Sequence, residues 1–184
     1  MRSRGAWVLL LLTACGPGEN TGRSAPANRK PNYFDVKGFL DAQTALLNQR
    51  QPTVEKQVQL RDEQTETSRV AKLDWGKELQ IFYQADINKP ALRGAYAVAA
   101  TGTARSYRRK AGVEAPVAEL QVTGAAAAPS ELQATIVQDN PLFYSEKQLR
   151  LHTRSGQLTD YEVRGVQKLI LFDTVRYSVR VQVK

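Results

Sequence analysis

Apolar residues recur with helical spacing in the first strongly patterned stretch of the chain, which starts near residue 32. The side chains on one helix face are Val36, Phe39, Leu40, Gln43, Leu46 and Leu47, of which only Gln43 is polar. Asn32 and Asp35 are both suitable N-caps, and Gln51-Pro52 ends the helix because a residue before proline is pushed out of helical geometry. Gly38 is a poor helix residue, so we expect it to mark the close approach of another element.

The period then changes to two, which predicts strands. Residues 54–60 alternate, and after a turn at 61–63 a polar segment at 65–73 completes a partly exposed hairpin. A second amphipathic helix is predicted after Asp74, a suitable N-cap, and it closes at Ile87-Asn88-Lys89-Pro90. Its apolar positions are Trp75, Leu79, Phe82 and Ala85, at i, i+4, i+7 and i+10.

The remainder of the chain has strand patterns separated by turn signals. The penultimate run extends from Tyr161 to Phe172, and the last strand alternates clearly from Val175 to Val183. Consecutive strands with short turns predict an antiparallel meander of about six to eight strands. The predicted fold class is α+β, with a curled sheet or half-barrel covered by two amphipathic helices. The pattern leaves open whether the sheet encloses a cavity or a packed core.

The N-terminus has the three-part layout of a secretory signal. Arg2 and Arg4 precede the apolar run Ala6–Leu12, which is too short to span a bilayer. The residues Leu12-Thr13-Ala14-Cys15 resemble the lipobox of bacterial lipoproteins. This resemblance implies cleavage before Cys15 and transfer of lipid to its thiol.

These features divide the chain into three parts. Residues 1–14 are the predicted signal peptide, 15–31 the lipidated cysteine with a flexible tether, and 32–184 a single globular domain. Residues 16–31 contain three prolines and three glycines and no large apolar side chain, so they cannot offset the entropy of ordering.

The composition excludes several kinds of disulfide and metal site. The chain has one cysteine and one histidine, which excludes an intrachain disulfide framework and a thiolate zinc cluster. No D-x-D-x-D-G or H-E-x-x-H motif occurs, and we expect neither a metal nor another cofactor. Removal of residues 1–14 lowers the net charge from +8 to about +6.

Export changes which partners a basic chain is expected to meet. It argues against nucleic acid and favours an anionic lipid or another envelope protein, beside the membrane that holds the anchor. Gly16 follows the cysteine where an aspartate would suggest inner-membrane retention, by analogy with enteric lipoproteins. By that analogy the protein is anchored in the outer membrane and faces the periplasm.

The densest group of cations is a candidate site for an anionic ligand. Arg105, Arg108, Arg109 and Lys110 surround Tyr107 between two strand patterns, and arginine suits planar contacts with phosphate. The simpler interpretation is a solvated hairpin tip.

Three further candidates have simpler structural interpretations. His152 is the only imidazole base, and with Arg150 and Arg154 nearby it could stay neutral, but no nucleophile motif accompanies it. Asp74 and Glu78 share a helix face, as paired catalytic acids can, although helix capping accounts for both.

A modification site is the last candidate. Asp173-Thr174-Val175 resembles the Asp-Thr/Ser-apolar sequon for O-glycosylation in Bacteroidota, with Thr174 as the acceptor. The alternative is an ordinary hairpin connection.

Three segments together resemble a group of small uncharacterised envelope lipoproteins of Bacteroidota. They are Tyr33-Phe34-Asp35-Val36-Lys37-Gly38-Phe39, Asp74-Trp75-Gly76-Lys77-Glu78-Leu79 and Asp86-Ile87-Asn88-Lys89-Pro90. The resemblance covers most of residues 32–184 and implies an exported lipoprotein without assigned chemistry. A looser architectural likeness is to the periplasmic lipoprotein carriers, whose half-barrel sheet holds acyl chains under a helix.

The leading functional hypothesis is a non-enzymatic, lipid-anchored envelope protein that binds a partner as an assembly accessory. The alternative is a periplasmic carrier of lipid or another hydrophobic ligand. A hydrolase is a more distant third hypothesis. The bulk of Phe39, Leu46, Trp75, Leu79 and Phe82 favours the first, because these side chains can fill the concave face of the sheet.

Overall fold

A computed structural model of the chain describes residues 32–61 and 64–184. The predicted signal peptide, Cys15 and the tether lie outside the described residues. Within the described part, no helix is long and apolar enough to cross a membrane.

Helix α1, Val36–Arg50, has the predicted bounds. Of the two candidate caps Asp35 is the one used, because its side chain accepts a hydrogen bond from the backbone N–H of Gly38 at 2.9 Å. The expectation for Gly38 was wrong. A Cβ at this position would collide with the carboxylate of Asp35, so glycine makes room for the cap rather than for another element.

The second predicted helix is shorter than expected. Helix α2, Trp75–Glu78, makes a single turn and is followed by the 3-10 segments Gln80–Ala85 and Pro90–Leu92. Leu79, Phe82 and Ala85 are spaced by three, which suits the three residues per turn of a 3-10 helix. All three side chains are fully buried, so the apolar face was predicted correctly although the helix type was not.

The sheet has nine antiparallel strands, one more than the upper end of the predicted range, and it is not closed. The strands are β1 Val54–Leu60, β2 Glu66–Val70, β3 Tyr96–Thr101, β4 Ala104–Arg109, β5 Val117–Ala125, β6 Ala128–Asn140, β7 Phe143–Arg154, β8 Gln157–Leu169 and β9 Val175–Val183. Their spatial order is β2-β1-β9-β8-β7-β6-β5-β4-β3. Strands β3 to β9 form the predicted meander, and the hairpin of β1 and β2 joins it beside β9.

Strand β4 replaces the predicted hairpin tip at residues 105–110. It pairs with both β3 and β5, and Tyr107 on it is buried. The strand was missed because Tyr107 is its only large apolar residue and cations occupy both of its faces. The weak alternation of β5 also has a cause, since a register shift between Val117 and Glu119 moves the later residues by one position.

One face of the sheet carries the core, and we call it the inner face. Helix α1, α2 and the 3-10 segment Gln80–Ala85 cover it, and the ring of Phe82 meets that of Tyr161 edge to face at 5.4 Å. Gln43, the polar interruption in α1, is buried with its amide satisfied. It donates to the carbonyl of Gly156 at 2.9 Å and accepts from the N–H of Leu158 at 2.9 Å. The side chain thus ties α1 to the β7–β8 turn.

The penultimate strand ends at Leu169, earlier than predicted. Residues 170–172 form an exposed turn instead of continuing the strand. A run of consecutive apolar residues does not fit a strand with one buried and one wet face, because alternate side chains would then be placed in water.

Candidate functional site

The opposite face of the sheet, which we call the outer face, is polar across six strands. The cross-strand register aligns polar side chains in three rows: Gln57, Arg180, Glu162, Arg150, Gln133 and Gln121; Gln59, Ser178, Arg164, Gln148, Thr135 and Glu119; and Glu55, Gln182, Asp160, His152, Glu131 and Thr123. Strand alternation places all of them opposite the core.

The outer face contains a depression of 470 Å³ over β1, β9, β8 and β7. Its charged lining consists of Arg61, Arg164, Arg176, Arg180, Glu146 and Glu162. Glu162 forms ion pairs with Arg164 at 3.0 Å and with Arg180 at 2.9 Å, and its own side chain is only 15% exposed. The middle of the depression is therefore held in place by paired charges, with glutamine and serine side chains between them.

Charge is less balanced where the depression meets the β8–β9 turn. Arg61 and Arg176 are exposed there, and within the described residues neither forms an ion pair. The backbone N–H of Arg61 donates to the carbonyl of Arg176 at 2.6 Å, which holds the two residues side by side. Asp173 and Thr174 share with them a smaller hollow of 210 Å³.

His152 lies on the outer face, opposite the leucines of β7, and carboxylates rather than the expected arginines surround its ring. Its Nδ1 is 2.7 Å from Asp160 and its Nε2 is 3.1 Å from Glu131. Arg150 lies 3.5 Å from Glu131 and forms an ion pair with it. The sequence instead predicted that the charge of Arg150 lies next to the imidazole. Since both ring nitrogens face carboxylates, no hydroxyl nucleophile is paired with the imidazole.

The four cations around Tyr107 do not form a common patch. Arg105 and Arg109 lie on the inner face of β4, where Arg109 donates to the carbonyl of Ala115. Arg108 lies on the outer face and pairs with Glu119 at 3.3 Å. Lys110 follows the end of the strand, where its N–H donates to the carbonyl of Ala95.

The acids of the second helix have separate partners. Asp74 accepts from the N–H of Lys77 at 3.2 Å, and this hydrogen bond lowers the pKa of the exposed carboxyl. Glu78 points to the inner face, accepts from the hydroxyl of Tyr161 and pairs with Lys56 at 2.9 Å. In the described part of the chain, no cluster of three or more His, Cys, Asp or Glu side chains could hold a metal ion.

Two candidate modification sites stay predictions. Cys15 lies outside the described residues. Thr174 is exposed in the connection before β9, as a glycosyl acceptor must be.

A second cavity lies on the inner side of the sheet. It is a groove of 750 Å³ between the start of α1 and strands β3 and β4. Phe39, Ala42, Val98 and Ala100 give it an apolar lining, and Arg105 lies on its wall. Val98 is 57% exposed, so this part of the inner face is not covered by α1.

The sequence did not reveal the outer-face depression. The alternating arginines of β9 do indicate a wet face, but the depression exists only because β1 pairs with β9, a contact between distant parts of the chain. No protein-family model, no curated protein and no solved structure matches this chain.

Proposed function

We propose that this chain is a lipid-anchored protein of the cell envelope whose domain binds another envelope protein through the outer face of its sheet. The observation that carries the proposal is that the two faces of the sheet differ in how much of their surface is open to a partner. Over the central strands the inner face is occupied by Trp75, Leu79 and Phe82, all fully buried, whereas the outer face presents a polar depression of 470 Å³.

The lining of the depression favours a polar partner. Gln57, Gln59 and Gln148 provide both amide donors and acceptors. Two of the four arginines in the lining, Arg164 and Arg180, are paired with Glu162. Because these two arginines are already held in place, their ordering adds little to the entropy cost when a partner binds. These residues suit the hydrogen bonding of a polar protein segment.

A binding role also agrees with the state of the candidate catalytic groups. The imidazole of His152 has carboxylates on both ring nitrogens, and Asp74 and Glu78 point to different partners. We therefore propose a non-enzymatic domain.

The anchor has a direct test. Mass spectrometry of the protein from bacterial membranes should show a chain that starts at Cys15 and carries acyl groups. Fractionation of the two membranes should recover this chain with the outer membrane. A Cys15→Ser variant should carry no acyl groups. An unmodified cysteine in the exported protein would remove the anchor from the proposal.

The binding surface can be tested by photo-crosslinking in cells with the full chain. A crosslinker at Gln148, inside the depression, should give one discrete adduct with another envelope protein. A crosslinker at Ala97, an exposed position on the outer face of β3, is the matched control and should give none. Gln57→Trp should abolish the adduct by filling the depression. Equal adducts at both positions, or an adduct unaffected by Gln57→Trp, would contradict the proposal.

The second candidate function is carriage of a hydrophobic ligand, and the inner groove is the observation that favours it. Native mass spectrometry of the full chain distinguishes the two functions. A co-purified lipid that is lost in Val98→Arg supports carriage in the groove, while a ligand-free mass with an intact crosslinked partner supports assembly.

A further inference from the structure

Five large apolar side chains are exposed together at one end of the sheet, and we call them the apolar tip. They are Leu142 at 67% exposure, Leu169 at 46%, Ile170 at 65%, Leu171 at 86% and Phe172 at 71%. They belong to two neighbouring turns, β6–β7 and β8–β9. The N–H of Ile170 donates to the carbonyl of Leu142 at 3.3 Å, which joins the two turns.

Such a cluster differs from ordinary exposed apolar residues. Single apolar side chains on a protein surface are common, but contiguous apolar patches mark sites that contact another molecule or a membrane. Four members of the apolar tip are consecutive, from Leu169 at the end of β8 to Phe172, and three of them lie in a turn, where polar residues, glycine and proline are usual. The core does not use them, so these side chains are available to contact another molecule.

Cations lie directly behind the apolar tip. Lys168 and Arg176 are exposed on the strands that lead into and out of the β8–β9 turn, and Arg61 lies beside Arg176. Asp173 is the acid of that turn, and within the described residues none of the three cations forms an ion pair with it or with another acid. An apolar end followed by a band of cations matches the boundary of a bilayer, where acyl chains give way to anionic phosphate groups.

We infer that the apolar tip inserts into the acyl region of a bilayer, with Arg61, Lys168 and Arg176 against anionic headgroups. A bilayer fits better than a protein partner because the tip consists of the ends of two hairpins. Stable protein interfaces bury roughly 800 Å² per partner, which needs a broader surface. This contact depends on the residues of the tip, and it neither requires the lipid on Cys15 nor uses the centre of the outer-face depression.

The test places an environment-sensitive fluorophore at the apolar tip of the full chain. In a Cys15→Ser background the chain has no other cysteine, so Leu171→Cys can be labelled alone. Thr103→Cys, in the exposed β3–β4 turn at the opposite end of the strands, is the matched control. On vesicles of phosphatidylcholine and phosphatidylglycerol, we expect a blue shift and quenching by brominated acyl chains at 171 and neither at 103. Because each probe reports its own surroundings, the N-terminal apolar run cannot produce this difference.

Two sets of substitutions separate the apolar and cationic contributions. Ile170→Ser together with Phe172→Ser should lower the fraction of labelled tip in the bilayer by about tenfold or more. Arg61→Gln with Arg176→Gln should remove the preference for anionic over zwitterionic vesicles while circular dichroism stays unchanged. A probe at 171 that reports water on both kinds of vesicle overturns the inference. So does a blue shift at 171 that needs an added envelope protein but no lipid, which would identify a protein partner.

Discussion

The inner and outer faces of the sheet are built from the same strands, yet they differ in almost every physical respect. On the inner face, side chains such as Leu132, Leu149 and Leu151 are buried, and the buried amide of Gln43 has fixed partners. On the outer face, side chains are partly exposed, and arginines and glutamates form ion pairs at 2.9–3.5 Å in a setting open to water. The inner face therefore stabilises the fold, and the outer face is the one that we propose binds a partner.

The largest expected effect is on stability, and it compares a buried aromatic ring on the inner face with an exposed one. Phe82→Ala removes a fully buried ring that contacts Tyr161, and we expect a loss of about 3–5 kcal/mol in the free energy of unfolding. Phe172→Ala is the control, because this ring is 71% exposed, and it should change stability by less than about 0.5 kcal/mol. Denaturant titration of both variants measures the difference. Similar losses would show that burial does not distinguish the two rings.

The next effect compares two glutamines. Gln43→Ala leaves the carbonyl of Gly156 and the N–H of Leu158 without their partner, and we expect a loss of about 2–3 kcal/mol. Gln148→Ala on the outer face breaks a hydrogen bond with Glu146 in a setting open to water, and it should be nearly neutral. Hydrogen exchange should also report faster opening of the β7–β8 turn in Gln43→Ala alone. Equal stability of the two variants would be inconsistent with a bridging role for Gln43.

These two glutamines also show how far the sequence predicted the structure. The bounds of α1 were predictable because Asp35 and Gln51-Pro52 act locally. The position of Gln43 on the apolar face of α1 indicates that it is buried, but its hydrogen-bond partners Gly156 and Leu158 depend on which elements meet. The depression around Gln148 likewise depends on β1 pairing with β9 across more than a hundred residues. The exposed run after Leu169 was missed for a local reason. Its consecutive apolar residues fit a buried strand, so the pattern predicted a strand that extends to Phe172.

Alkaline pH provides a third contrast, between the buried Tyr161 and the half-buried Tyr144. Burial, and then the hydrogen bond to Glu78, raise the pKa of Tyr161 above its usual range. A group whose pKa is raised in the folded state contributes stability that is complete below its unfolded pKa, near 10, and is lost as the pH rises above that value.

The expected result is a fall in the urea midpoint of the wild-type chain above about pH 10. Tyr161→Phe should reduce the slope of that fall. Tyr144→Phe is the control on the outer face, where a hydrogen bond to Glu146 raises the pKa of an exposed hydroxyl, and the slope should change little. An unchanged slope in Tyr161→Phe would contradict the assignment.

The smallest expected effect lies within the outer face. Arg180→Gln removes one of the two arginines on Glu162, and because the Arg180 side chain is 51% exposed we expect a loss of less than about 1 kcal/mol. The loss should shrink further in 0.5 M salt, measured by denaturant titration, since exposed charges are screened there. A loss of several kcal/mol would mean that this face, too, is needed for folding.

The open sheet has two edges with different consequences for the behaviour of the protein at high concentration. Strand β2 is short and carries the charges of Glu66 and Arg69, which hinder pairing with another chain. Strand β3 has the sequence Tyr-Ala-Val-Ala-Ala-Thr without any charge, and its residues after Tyr96 are exposed. Its backbone is therefore the available template for a strand from a second molecule, so aggregation should begin there, and a lysine at Ala99 should delay it.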